Sequence, residues 1–123
     1  MKRKVAILGS TGSIGTQAIE VIQEQAQHFE VELLAAHNNA ELLIKQALAL
    51  QPNAVVIGNE DKYQLVKEAL LPHDIKVFAG ANALEQAVTM EGIDVVLTAM
   101  VGYAGLKPTL AAINAGKQIA LAN

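Results

Sequence analysis

The sequence predicts an α/β domain in which a mostly parallel, doubly wound sheet carries helices on both faces. Two observations point there. Short, continuous apolar runs alternate along the chain with stretches of about ten residues whose apolar positions recur at helical spacing. A glycine-rich turn joins the first apolar run to the first helical stretch. Size agrees: 123 residues, 52% of them hydrophobic, can bury one substantial core within the usual size of a single domain.

Val5-Ala6-Ile7-Leu8 is a short apolar run ending at Gly9, the pattern of a strand buried on both faces. Ile14, Ala18, Ile19 and Ile22 then repeat at helical spacing ahead of the polar Gln23-Glu24-Gln25. Residues 31–36 predict a second strand and residues 41–50 a second helix, stopped before Pro52 because the residue preceding a proline is pushed out of helical geometry. Ala54-Val55-Val56-Ile57 is a third strand. Residues 60–71 predict a helix with Tyr63, Val66, Lys67 and Leu70 along one side, closed by Pro72. A short strand at 76–78 leads through Gly80 to a helix with Leu84, Ala87 and Val88 inward, ending near Gly92. Residues 93–98 form another strand and residues 106–115 a helix closed by Gly116, since glycine takes the left-handed conformation at a helix end most readily. Residues 118–122 begin one more strand.

Charge narrows the function classes. Only 17% of residues are charged and the formal net charge is −3, so the chain has no broad positive field for nucleic acid or anionic lipid. Any phosphate must be held locally. With no cysteine, the chain has no disulfide, thiolate metal site or thiol nucleophile. Met1-Lys2-Arg3-Lys4 has the charge of a signal-peptide start, but Gly9 ends the following apolar run far short of a signal core or membrane span. A cytoplasmic protein is expected.

The chemical signal is Gly9-Ser10-Thr11-Gly12-Ser13-Ile14-Gly15, placed directly after the first strand and opening the first helix. Glycines there allow positive φ and close approach of backbone to ligand, while the first-turn amides of the helix lack partners. A pyrophosphate would satisfy those amides and complement the positive end of the helix dipole. Gly15 would let the helix pack closely on the strand, as in Rossmann-type dinucleotide-binding folds. Glycines fall at the first, fourth and seventh positions, a variant of the usual first, third and sixth, and no Gly-Lys-Ser/Thr follows to make a P-loop. The bland alternative is a tight strand-to-helix turn that binds nothing; the hydroxyls of Ser10, Thr11 and Ser13 weigh toward phosphate.

An NAD-specific domain usually has Asp or Glu at the end of the second strand, accepting from the ribose 2′-hydroxyl. Here the chain reads Ala35-Ala36-His37-Asn38-Asn39. Without a carboxylate to repel a 2′-phosphate, His37 and the amides of Asn38 and Asn39 could donate to it, which favours NADPH. A plain turn is the alternative, because asparagine tolerates left-handed geometry and bonds its own backbone. His28 and His73 have no companion ligands at metal spacing. Glu60-Asp61 reads as a helix N-terminal pair and Asp94 as a strand-edge residue; no acid–base or nucleophile–base set stands out.

The Gly9 to Gly15 motif, together with Val101-Gly102-Tyr103-Ala104-Gly105-Leu106-Lys107-Pro108-Thr109-Leu110-Ala111-Ala112-Ile113 and Ala115-Gly116-Lys117 through Leu121-Ala122-Asn123, closely resembles the N-terminal part of 1-deoxy-D-xylulose 5-phosphate reductoisomerases. The resemblance implies an NADPH-dependent oxidoreductase of non-mevalonate isoprenoid biosynthesis. It would rearrange a phosphosugar substrate, 1-deoxy-D-xylulose 5-phosphate, and reduce the product aldehyde to 2-C-methyl-D-erythritol 4-phosphate. A magnesium or manganese ion would act as Lewis acid, its carboxylate ligands lying beyond this chain. The resemblance places Thr11, Gly12, Ser13 and Ile14 on the pyrophosphate, His37, Asn38 and Asn39 on the adenosine 2′-phosphate, and Asn123 by the nicotinamide ribose. Many family members have Gly followed by Lys or Arg where this chain has His37 and Asn38, so the charge-assisted part of that contact is absent.

The resemblance also implies that residues 1–123 are a single NADPH-binding Rossmann-type domain, with the catalytic and C-terminal domains absent, and that the parent enzyme is a homodimer. The chain stops at the end of an expected strand with no helix to cover it, so a longer parent chain is expected, and residues 1–123 alone are expected to show no turnover. Competing expectations are another NADP-dependent reductase, such as an aspartate-semialdehyde dehydrogenase, and a non-catalytic nucleotide-sensing module.

Overall fold

A computed structural model describes residues 1–100 and 102–121. Among them, strands β1 (Arg3–Leu8), β2 (Phe29–Ala36), β3 (Ala54–Ile57), β4 (Lys76–Ala79), β5 (Val95–Thr98) and β6 (Gln118–Leu121) form one sheet in the order β4-β3-β2-β1-β5-β6. Every neighbouring pair is parallel, so each connection must cross over the sheet. Helices α1 (Ser13–Glu24), α2 (Ala40–Leu50), α3 (Tyr63–Leu70), α4 (Ala81–Ala87) and α5 (Leu106–Asn114) lie in those connections. The fold is the Rossmann-type arrangement expected. None of these helices is long and apolar enough to cross a membrane.

The two faces of the sheet divide the helices. Val5 and Ile7 of β1 join Ile19, Leu43, Val66 and Leu70 in a core beneath α1, α2 and α3. Ala6 and Leu8 join Leu84, Val88 and Ala112 in a second core beneath α4 and α5. Strands covered on both sides have no polar face to show, which is why they read as continuous apolar runs.

Strand β2 breaks the alternation once. Val5 pairs with Val31 and Ala6 with Leu33, leaving Glu32 as an extra, bulged residue. Val31 therefore faces the first core and Leu33 the second, and Leu34 and Ala36 return to the first.

Several boundaries differ from expectation for local reasons. The 60–71 stretch divides into a 3-10 turn at Glu60–Lys62, α3, and a second 3-10 turn at Leu71–His73 that contains Pro72. The Asn59 side chain accepts from the Asp61 amide (3.0 Å) and tightens the first of these turns. Helix α4 ends at Ala87 instead of near Gly92, because the Thr89 hydroxyl and Met90 amide turn back onto the Gln86 and Ala87 carbonyls (2.7 and 3.2 Å). Strand β5 starts at Val95 and not at Ile93: the Ile93 amide closes a turn on the Met90 carbonyl (3.1 Å), and Asp94 grips the Lys4 amide with its carboxylate (2.9 Å).

Candidate nucleotide-binding site

The chain steps outward from β1 to β4, then returns to the opposite side of β1 for β5 and β6. Connections leaving β1 and β5 therefore diverge, opening a crevice at their carboxyl ends where doubly wound sheets bind ligands. Gly9, first residue of the glycine loop, stands there with φ +83°, and a Cβ on it would lie 2.9 Å from the Ala99 carbonyl carbon of the loop after β5. A side chain would part the two loops.

Behind Gly9 the loop is built to present amides. The Gly9 and Ser10 amides donate to the Ala35 carbonyl of β2 (2.8 and 3.0 Å), anchoring the loop to the sheet. The first intrahelical bond of α1 runs from the Thr16 amide to the Gly12 carbonyl (2.9 Å), so the amides of Ser13, Ile14 and Gly15 precede the helical ladder. Gly12 is the N-cap, no side chain among the described residues caps the helix, and its first turn holds no acidic residue. The positive end of the helix dipole thus stays open to an anion. A Cβ on Gly15 would overlap the Gly9 carbonyl and come within 2.8 Å of the Ser10 Cα, so the third glycine lets α1 lie against the loop, as its position predicts.

Ser10 plays a different part from the ligand hydroxyl its place in the motif suggests. It is fully buried. Its carbonyl accepts from the Gln46 side-chain amide of α2 (2.8 Å), itself buried, and among the described residues the Ser10 hydroxyl and the Gln46 side-chain oxygen have no hydrogen-bond partner. Ser10 and Gln46 hold the loop from beneath. Exposed Ser13 and half-buried Thr11 remain the hydroxyls that a ligand can reach.

His37, Asn38 and Asn39 follow β2 and are all exposed. Asn39 is the N-cap of α2, its side-chain oxygen accepting from the Leu42 amide (3.1 Å). The Asn38 side-chain oxygen accepts from the Asn59 side-chain amide (2.9 Å). With both oxygens taken, each residue is left with an NH2 group to offer outward. His37 rests on Gly58 at the end of β3, where a Cβ would meet its ring nitrogen at 2.5 Å. The structure therefore brings 37–39 together at one rim and the loop 11–14 beside it, joined through Ala35. Asn123 lies outside the described residues.

Between the ends of β2, β3 and β4, the start of α4 and the segment after β5 lies an open cleft of about 300 Å³. Its walls include Ala35, Val56, Leu84, Met100 and Pro108, with His37 at the same opening. A flat, mainly apolar group tethered to a phosphate suits such a cleft. Together with the open amides and outward NH2 groups, these residues fit a dinucleotide. Among the described residues no group of three or more His, Cys, Asp or Glu could hold a metal ion.

Gln46, Asn59 and most of the cleft lining were not singled out from sequence. Asn59 carried one signal, an asparagine directly before an acidic helix start, but its reach to Asn38 depends on β2 and β3 lying side by side.

The family model for 1-deoxy-D-xylulose 5-phosphate reductoisomerase matches residues 5–123. The reductoisomerase of Bacteroides fragilis is 62% identical over 122 residues, covering 99% of this chain and 31% of that protein. That of Phocaeicola vulgatus is 58% identical over 123 residues, covering 100% of this chain and 32% of that protein. The chain thus spans only 31% and 32% of the length of these curated relatives. Among solved structures, the Zymomonas mobilis reductoisomerase in complex with NADPH superposes with a TM-score of 0.93 at 40% identity, covering 100% of this chain and 32% of that one. A DOX-P reductoisomerase in complex with NADPH, fosmidomycin and magnesium gives 0.90 at 30% identity, covering 95% and 29%. With a family match over nearly its whole length and the same fold, the chain belongs to the 1-deoxy-D-xylulose 5-phosphate reductoisomerase family.

Proposed function

We propose that this chain is the NADPH-binding domain of an enzyme that converts 1-deoxy-D-xylulose 5-phosphate to 2-C-methyl-D-erythritol 4-phosphate. The observation that carries the reading is the uncapped first turn of α1, its loop anchored on Ala35, which also lines the apolar cleft that opens at His37 beside the two asparagines with engaged side-chain oxygens. Thr11, Gly12, Ser13 and Ile14 bind the pyrophosphate through backbone amides and hydroxyls. The cleft takes the adenosine. His37, Asn38 and Asn39 donate to its 2′-phosphate, and Asn123 stands by the nicotinamide ribose. Bound NADPH supplies the hydride; the chain's own residues bind it, orient it and shield its adenosine from water.

The remaining parts of the reaction rest on residues outside this chain. They would hold the magnesium or manganese ion and the phosphosugar, and form the homodimer of a cytoplasmic enzyme. Family membership leaves an aspartate-semialdehyde dehydrogenase without support, and no observation favours a sensing module.

Calorimetric titration with NADPH and, separately, NADH tests the binding reading. Saturable binding with NADPH at least tenfold tighter, about 1.4 kcal/mol, is expected. Equal affinities would remove the 2′-phosphate assignment, and no binding of either nucleotide would remove the site. Supplied with substrate, metal and NADPH, residues 1–123 alone are expected to give no product; product would show that the reacting groups lie within them.

A further inference from the structure

We propose that Asn59 is a positioning residue for cofactor choice: it fixes which end of the Asn38 side chain faces the 2′-phosphate, and so sustains the preference for NADPH over NADH. The inference rests on the 2′-phosphate reading given above.

A carboxamide has nearly the same shape either way round, but its two ends act oppositely on a phosphate. The NH2 end donates to it, while the oxygen end repels it. Asn38 is exposed and has no charge to commit it to either orientation. Its partner decides.

That partner, Asn59, has no freedom left. Its backbone amide donates to the His37 carbonyl (2.8 Å), extending the β2–β3 ladder past the end of both strands, and its own carbonyl accepts from the Lys62 amide (3.0 Å). Its side-chain oxygen accepts from the Asp61 amide (3.0 Å), and its side-chain NH2 donates to the Asn38 oxygen (2.9 Å). The direction of this relay is set at its inner end. A backbone amide can only donate, so Asp61 must meet the oxygen of Asn59; Asn59 must then turn its NH2 to Asn38, and Asn38 must turn its NH2 outward. The Leu42 amide fixes Asn39 in the same way, in a single step. Two neighbouring NH2 groups thus face the same rim, each oriented by a backbone donor whose direction cannot reverse.

The test uses the full chain and reads the ratio of NADH to NADPH dissociation constants. Asn59→Ser keeps an oxygen for the Asp61 amide and removes the donor to Asn38 without adding charge. Asn59→Asp also keeps the oxygen but reverses the relay, so that Asn38 turns its NH2 inward. Expected are about a threefold fall in the ratio for Asn59→Ser and at least tenfold for Asn59→Asp, both from weaker NADPH binding, with NADH affinity unchanged. In an Asn38→Ala background neither substitution should change the ratio further. An Asn59→Asp effect that persists without the Asn38 amide would mean the new charge acts on the phosphate directly, and the relay would be wrong. So would a ratio of NADH to NADPH dissociation constants that neither substitution at Asn59 lowers. If the unmodified chain shows no preference, the 2′-phosphate assignment itself fails and the relay with it. Urea unfolding of each variant separates loss of the relay from loss of the fold, which would weaken both nucleotides together.

Discussion

The loop between β1 and α1 offers a ligand its backbone, whereas the end of β2 offers side-chain amides. The first is positioned by steric exclusion: two glycines allow loop, helix and neighbouring strand to touch where no side chain could fit. The second is positioned by hydrogen bonds passed from backbone donors to exposed asparagines. A backbone site cannot distinguish nucleotides that share a pyrophosphate. A side-chain site can, and it is the one that substitution can retune without disturbing the fold.

That contrast breaks if substitutions in the loop discriminate between nucleotides, or if those at the end of β2 do not. The largest effect is expected for Gly15→Val, whose side chain would collide with the Gly9 carbonyl and Ser10. Urea denaturation should show about 3 kcal/mol lost, and NADPH and NADH binding should disappear together. Normal stability and binding would mean that the α1 contact does not position the loop. Gln46→Leu comes next: it leaves the buried Ser10 carbonyl without its donor, at a cost of about 1–2 kcal/mol. Both nucleotides should weaken by the same factor in calorimetry; a selective effect would place Gln46 with the residues at the end of β2 that discriminate between them.

Asn39→Ala should lose about 1 kcal/mol of stability with the α2 cap, and NADPH affinity should fall while NADH affinity holds. The smallest change in stability belongs to Asn39→Asp, because aspartate caps as well as asparagine. Its carboxylate offers the 2′-phosphate no donor, so NADPH affinity should still fall at least tenfold. Loss of the cap without loss of discrimination would remove Asn39 from the cofactor site.

The parallel sheet and the glycine loop were legible in the sequence because each rests on exclusion. A strand covered on both faces can hold little but apolar residues, and Gly9 and Gly15 stand where a Cβ cannot. Residues acting through directed hydrogen bonds left weaker traces. Asn38 and Asn59 lie far apart in sequence, and only the pairing of β2 with β3 makes them neighbours. Ser10 has the same chemistry as Thr11 and Ser13, so nothing in its identity reveals that it faces inward. The 3-10 turn that opens the 60–71 stretch is tightened by a side-chain bond to the Asp61 amide that apolar periodicity does not register.

The bulge at Glu32 bears on how this domain tolerates change in length. The extra residue lies in the first half of β2, between pairings that are in register on either side. Removing it would restore regular alternation and leave Leu33 opposite Ala6, with the ladder beyond unaltered. Strand β2 therefore already contains a one-residue slack, taken up well before Ala36 and the asparagines. Insertions or deletions entering from the α1 side can be absorbed there as changes in bulging, so the sheet's amino edge can drift over evolutionary time while its carboxyl edge, where the cofactor would lie, keeps its alignment.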